Sequence, residues 1–334
     1  MLNLEHKKIL LIGIGLYDYE QVIADALCKY GARVTRIASN PAPLWSRILR
    51  QIGLCDWSRI VADKARQRII RKSGSHYDQV LIFKGADLND RDIAQLKNAN
   101  PEARFILYLW DSLERHANRQ LLLDQFDDIW SFDKTDCENH PELKFRPLFY
   151  RTAVSRVSRR FRISFIGWMH SDRLEILRNV RKQLEASGQS YFLKLYMGRF
   201  SYLIARYIKH TLHREDRDLL TFTPIDYDEF ITICAASEIV LDIAHPRQTG
   251  LTMRTIEAIS LGCHLLTTNR NIASYPQINS LQYSLFDRRH PDLNCLNGIQ
   301  SHQGLPTQEF MDYFSLDAFI ETITGKYGNN AETE

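Results

Sequence analysis

The chain has 334 residues, 44% of them apolar and 25% charged, with a formal net charge of +3. That length suits about two domains, and the apolar content is enough for two cores, which excludes a disordered or fibrous chain. The small net charge gives no general attraction to nucleic acid, so no nucleic-acid partner is expected, and no run approaches the roughly 20 apolar residues that cross a bilayer.

In chain order, residues 8–14 form a continuous apolar strand, and the apolar run 9–16 follows two lysines. The run is too short for a secretory signal and passes into Tyr17-Asp18-Tyr19-Glu20 without a small-residue cleavage site. The chain turns at Gly13 and Gly15 into helical spacing over 20–30, stops at Gly31 and resumes as a strand over 33–38, a βαβ unit. Residues 41–75 carry eight Lys or Arg against two Asp, interleaved with Trp45, Trp57 and several isoleucines. A solvated face on a packed helix pair and a peripheral contact with anionic lipid or glycolipid both fit that composition. Strands at 79–83, 104–109 and 128–132, separated by helices such as 90–98, predict a parallel sheet covered on both faces.

The pattern restarts after a basic connector over 151–160. A strand at 163–166 ends at Gly167, a helix covers 174–186, and strands follow at 192–196, 239–243 and 264–268. Two successive α/β units predict two Rossmann-like lobes, 1–155 and 156–327, with a cleft between the carboxyl ends of their sheets. Residues 287–308 read as a long loop, 306–324 have helical spacing, and 328–334 read as a frayed tail. The six cysteines are scattered, with no C-x-x-C pair, the usage of reduced thiols in a cytoplasmic protein.

One segment carries chemistry. Residues 237–269 read as a buried strand, a polar loop around Gly250, a short helix and another strand. In that order the glycine lets backbone approach a ligand, the helix N-terminus offers N–H groups to phosphate, and Arg254 and Glu257 share a helical face. The alternative for this pair is an i, i+3 ion pair on an exposed helix, worth about 0.2–0.5 kcal/mol. His245, at a strand end before Pro246, is a donor to phosphate or sugar, or a structural histidine. Asp111 follows the strand 104–109, so it is a candidate general base or the cap of a helix over 112–122; Asp18 is the second candidate base, or a turn residue. The Gly13-Ile14-Gly15 turn lacks a third glycine near Asp18, and Ser39-Asn40 stand where a dinucleotide site needs an acid, which disfavours hydride chemistry. The Asp-x-Asp pairs 90/92, 216/218 and 226/228 all open helices, where positions i and i+2 point apart, so neither a metal nor a cofactor is expected.

The 237–269 segment, with Glu257-Ala258 and Gly262, resembles the nucleotide-sugar site of GT-B glycosyltransferases, in particular bacterial enzymes that assemble lipopolysaccharide, capsule or exopolysaccharide. The blocks 83–85, 108–115, 131–136, 146–150 and 165–173 resemble the same branch. The resemblance implies an α/β GT-B fold whose C-terminal helix crosses back to the first lobe. It implies transfer of a sugar from a nucleotide-sugar donor to a glycan or lipid-linked glycan acceptor, in the cytoplasm or peripherally on the inner face of its membrane. Glu257 would hold the ribose, and Arg254 with the helix N-terminus the diphosphate. The loop of Thr249, Gly250, Leu251 and Thr252 would border the donor, Gly167 and Arg173 would contact diphosphate or acceptor, and Pro224 with Ile225 would border the nucleobase. Thr249 stands where many retaining members carry a second Glu, which makes an inverting mechanism with Asp111 as base attractive. A non-catalytic nucleotide- or glycan-binding subunit and a Rossmann oxidoreductase or epimerase are the rival readings.

Overall fold

A computed structural model describes residues 2–13, 18–38, 55–85, 88–113, 123–152, 157–296, 299 and 305–325. The chain divides into two compact units, Met1–Pro147 with Leu316–Glu334, and Leu148–Ser315. The division falls at Pro147 where the sequence pointed to 155, and the terminal helix groups with the first unit. The boundary at Pro147 and the grouping of the terminal helix, which the resemblance implied would cross back to the first lobe, both have contacts behind them. Arg151 and Thr152 bond within the second unit, to Glu257 and Tyr227, and the Phe319 ring packs 4.8 Å from Tyr108 in the first.

The first unit runs β1 (Lys8–Gly13), α1 (Tyr19–Lys29), β2 (Arg33–Ala38), α2 (Cys55–Lys72), β3 (Gln79–Phe83), α3 (Asp90–Ala99), β4 (Arg104–Leu109), β5 (Asp128–Ser131), α4 (Lys134–Asn139) and β6 (Lys144–Phe145). Its sheet is parallel throughout, in the order β2-β1-β3-β4-β5-β6. Ile9, Leu10, Leu11 and Ile12 are fully buried, as an uninterrupted apolar run must be when helices cover both faces of a sheet. Helix α1 stops where the sequence expected, because Gly31 takes the left-handed conformation (φ 94°) that ends a helix without a Cβ clash. Within the 41–75 stretch, residues 41–54 lie outside the described residues. In α2, Arg66 and Ile70 are buried, and Arg66 Nε donates to the buried Asp92 at 2.6 Å, while Trp57 and Ile60 are exposed. Asp92 is also the N3 partner in a capping box with Asn89. Gly15, residues 114–122 of the expected helix 112–122, and the tail 328–334 likewise fall outside the described residues.

The second unit runs β7 (Phe161–Trp168), α5 (Arg173–Ala186), β8 (Tyr191–Tyr196), α6 (Arg199–Leu203) with a π-turn (Ile204–Ile208), a 3₁₀ turn (Arg214–Leu219), β9 (Leu220–Thr221), α7 (Tyr227–Ala235), β10 (Ser237–Asp242), α8 (Met253–Ser260), β11 (His264–Thr267), β12 (Tyr283–Leu285) and α9 (Gln308–Tyr313). Helix α10 (Leu316–Thr324) then belongs to the first unit. The second sheet is also parallel, in the order β12-β11-β10-β7-β8-β9. This is the doubly wound pattern in which strand order reverses between the first strand, β7, and the fourth, β10. The protein is therefore two Rossmann-like lobes with a C-terminal helix.

The basic connector contributes one structural residue of weight. Arg159 Nη1 donates to Ala235 O (2.6 Å), Ser237 O (2.9 Å) and Cys263 Sγ (3.2 Å), and Nη2 to Gly262 O (2.9 Å) and Leu261 O (3.3 Å). The Ala235, Leu261 and Gly262 carbonyls sit at the C-terminal ends of α7 and α8, which have no intrahelical donor and carry the negative end of the helix dipole, and Ser237 O opens β10. Replacing Arg159 with Ala strands those carbonyls at once. We expect Arg159→Ala to lower unfolding free energy by about 2–4 kcal/mol in urea denaturation; a loss below ~0.5 kcal/mol would mean that water replaces the guanidinium.

Candidate functional site

In open α/β sheets a ligand crevice forms beyond the carboxyl ends of the strands where strand order reverses. In the second unit that point lies between β7 and β10. Strand β10 ends at Asp242, fully buried, whose carboxylate accepts hydrogen bonds from Arg254 Nη1 (2.9 Å), Thr255 Oγ1 (2.8 Å), Thr252 Oγ1 (3.3 Å) and Thr267 Oγ1 (3.3 Å). A buried charge survives only when it is met this fully. Thr252 also starts α8, its Oγ1 accepting the Thr255 N–H at 3.2 Å as an N-cap.

Arg254 reaches from α8 across to β7, donating to Ile166 O at 2.7 Å with its guanidinium 4.9 Å over the Phe165 ring. Arg173, the first residue of α5, lies between the same two strands: Nε and Nη2 donate to Ile243 O (3.1 and 2.7 Å) and Nη1 to Trp168 O (3.2 Å). Gly167 makes room for it. A Cβ there would lie 2.8 Å from Phe165 Cζ and 3.2 Å from Arg173 Nη1, so any larger residue displaces the ring or the guanidinium. Arg288, beyond β12, donates to Ala244 O and stands 3.5 Å from Asp172 Oδ2. Burial first, then the charges of Arg254 and Arg288, push Arg173 down to about 9, with Asp242 pulling the other way. It remains cationic at neutral pH. Three guanidiniums meet two carboxylates, Asp242 and Asp172, so the strand ends keep a positive surplus beside the N-terminus of α8. Arg254 Nε and Arg288 Nη1 have no hydrogen-bond partner among the described residues.

The loop before α8 is held from outside. Asn269 Nδ2 donates to Thr249 O (3.0 Å) and Gly250 O (3.2 Å), and Leu251 is buried beneath. His245 sits at the rim, its Nδ1 accepting the Arg247 N–H at 3.2 Å and its ring 5.5 Å from that of His170. Pro224 is exposed, while Ile225 packs against Ile166 and Ile233.

Arg254 and Glu257 do not share a task. Arg254 is paired with Asp242, and Glu257 is fully buried on a helix that is itself buried, which overturns the exposed i, i+3 pair. Glu257 Oε1 accepts from Tyr227 Oη at 2.6 Å and from the Arg151 N–H at 3.0 Å; Arg151 in turn lies 3.7 Å over the Tyr227 ring. Oε2 has no partner among the described residues. Burial pushes Glu257 up to about 7, against the pull of the Tyr227 hydroxyl and the Arg151 and Thr152 backbone.

The two candidate bases lie in the first unit. Asp111, just beyond β4, pairs with Lys84 Nζ at 3.2 Å; Lys84 itself is in the left-handed conformation (φ 69°), its N–H donating to Tyr108 O. Asp18 is exposed at the N-cap position of α1 with φ 54° and makes no side-chain cap. Both sit at the carboxyl edge of that sheet, where the rings of their neighbours Tyr19 and Trp110 lie 5.5 Å apart. The acids of the Asp-x-Asp pairs serve helix starts and turns, Asp226 capping α7 and Asp216 taking both Arg178 and the His213 N–H. Among the described residues no group of three metal-ligating side chains forms.

Sequence reasoning missed Asp242, Arg288 and Tyr227. Asp242 was visible as an acid closing an apolar strand, and Tyr227 lies between the two acids of one Asp-x-Asp pair. Arg288 carries no local signal, since only the fold returns the chain to Asp172.

No known family pattern matches the chain, and no curated protein matches it in sequence. Solved structures do match its fold. Anabaena HepE in complex with UDP and glucose is 13% identical with a TM-score of 0.56, the match covering 96% of this chain and 98% of that one. A glycosyltransferase from Rickettsia africae ESF-5 is 10% identical with a TM-score of 0.54, over 95% and 96%. The UDP-GlcNAc 2-epimerase of Methanocaldococcus jannaschii is 9% identical with a TM-score of 0.53, over 96% and 99%. At these identities the likeness is one of fold: the chain has the GT-B-like two-lobe architecture, which transferases and an epimerase share.

The Glu257 shift has a measurable consequence. A carboxyl raised from 4.5 to about 7 on folding contributes most below pH 4.5, and that contribution is lost as pH rises through 7. Glu257→Gln cannot ionise. Its stability relative to the wild type should therefore rise across that window and level off above it, by up to about 3 kcal/mol. A difference between the two that is flat in pH would show that Glu257 finds its charge compensated in the fold.

Proposed function

We propose that the protein is a glycosyltransferase that moves a sugar from a nucleotide-sugar donor to a hydroxyl of a glycan or lipid-linked glycan in surface polysaccharide assembly. What carries this reading is one juxtaposition in the second unit: a positive surplus at the β7–β10 strand ends, the start of α8, and the half-satisfied carboxylate of Glu257 on the same helix. An anionic diphosphate suits the first two. A ribose supplies the hydroxyl donors that Oε2 lacks. The GT-B-like fold, shared with HepE in complex with UDP and glucose and with a UDP-GlcNAc 2-epimerase, supports the same direction. Within this reading Arg254 and Arg173 act largely through their field, since their own hydrogen bonds are made to Asp242 and to main-chain carbonyls, and cations rather than a metal offset the leaving diphosphate. Pro224 and Ile225 would border the base, and Thr249, Gly250, Leu251, Thr252, His245 and Gly167 the donor. Scattered thiols fit a cytoplasmic protein.

Binding comes first as a test. Titration calorimetry with a panel of nucleoside diphosphates, UDP foremost, should give saturable binding that Glu257→Gln weakens about tenfold or more. Ribose hydroxyls favour the ionised carboxylate, so wild-type affinity should climb as pH rises through 7 and the variant's should stay level. Equal affinities at every pH would remove Glu257 from the site.

Chemistry comes second. With Thr249 in place of a second Glu, we assign the acceptor proton to Asp111 and an inverting outcome. Asp111→Asn should bind donor normally and lose about 10² to 10⁴ in turnover. Near wild-type turnover, or a product that keeps the donor's anomeric configuration, would overturn that assignment. Conversion of the donor to its epimer without any acceptor would overturn transfer itself.

A further inference from the structure

Helix α6 and its π-turn are apolar on two sides. Inward, Met197, Tyr202 and Ala205 pack against the core of the second unit. Outward, Phe200, Leu203, Tyr207 and Ile208 are 58%, 50%, 65% and 72% exposed. Their spacing, i, i+3, i+7 and i+8, sets them on one face. Folded proteins seldom leave four large apolar side chains together in water, and such a face marks an interaction surface. The charge within the segment itself is one-sided. From residue 195 to 214 the chain carries Arg199, Arg206, Lys209 and Arg214 and no acid, and Arg199, Lys209 and Arg214 are exposed.

We propose that this face docks on an anionic lipid surface, the apolar side chains entering the headgroup boundary and the flanking cations meeting lipid phosphate. A second copy of the chain is a poorer occupant, because a symmetric interface would press the same basic strip against itself. An apolar face bordered by Arg and Lys is the pattern of a helix that lies in the interface plane, and among the described residues no helix is long and apolar enough to cross a membrane. The surface follows β8 at the same carboxyl edge of the sheet that carries the candidate donor site, and it differs from the basic stretch at 41–75. It stands independently of the transferase reading, since its test contains neither sugar nor nucleotide.

The experiment is flotation of the purified full chain with phosphatidylcholine vesicles containing roughly one-third phosphatidylglycerol, and with pure phosphatidylcholine vesicles. Binding should favour the anionic vesicles and fall with salt. The double variant Tyr207→Glu/Ile208→Glu should lower the bound fraction by about tenfold, and Phe200→Ser/Leu203→Ser, milder on folding, should act in the same direction. Arg199→Glu/Lys209→Glu should erase the preference for anionic vesicles, while Trp57→Glu in α2 leaves binding unchanged. The proposal falls if the wild type floats with neither vesicle or equally with both. It falls too if Trp57→Glu and not the 207/208 variant abolishes binding, or if the wild type is a dimer in solution that the 207/208 variant dissociates.

Discussion

Asp242 is the constraint on which the second unit's crevice depends. A carboxylate with no access to water must be met by donors, and here they come from the cap of α8, its second and third residues, and the end of β11. Removing one partner of such a buried pair typically costs about 3–5 kcal/mol. That energy fixes the start of α8, aims Arg254 at β7, and thereby decides where positive charge gathers. The helix N-terminus and the arginine are both consequences of one acid at the end of a strand.

The same crevice separates roles that the sequence allowed to coincide. Arg173 holds main-chain carbonyls on both sides of the strand-order reversal, so it ties β7 to β10 and contributes charge without a free hydrogen-bonding edge on Nε or Nη2. Glu257 is different: its environment resists ionisation and leaves an oxygen unmet. A group held near 7 by burial changes protonation state with small changes in surroundings, the property expected where a ligand is to alter those surroundings.

Most strands were legible because a parallel sheet buried on both faces writes continuous apolar runs, as in 9–12, 79–83 and 104–109. Strands β6, β9 and β12, of two or three residues, are too short to show a period and owe their existence to a neighbour's edge. The helix of Arg254 and Glu257 was legible from its cap and loop, but the direction each side chain takes was not. Spacing of i, i+3 says that two residues can meet; it does not say that Asp242 and Tyr227 offer better partners. The exposed face of α6 was not legible either, since the run Phe200-Ser201-Tyr202-Leu203-Ile204-Ala205 does not say which of its apolar side chains the fold leaves uncovered.

Arg159 brings a consequence for biosynthesis. It emerges from the ribosome early in the second unit, yet its acceptors lie 76, 78, 102 and 103 residues downstream. Until the segment through Gly262 has been made, this guanidinium and the carbonyls it will bind belong to an unfinished unit with its longest-range contacts outstanding. High contact order of this kind slows folding and prolongs exposure of apolar strands. Early termination anywhere between 160 and 260 should thus yield a second lobe that chaperones and proteases treat as unfolded, while the first lobe's parallel sheet, complete by residue 145, is already translated.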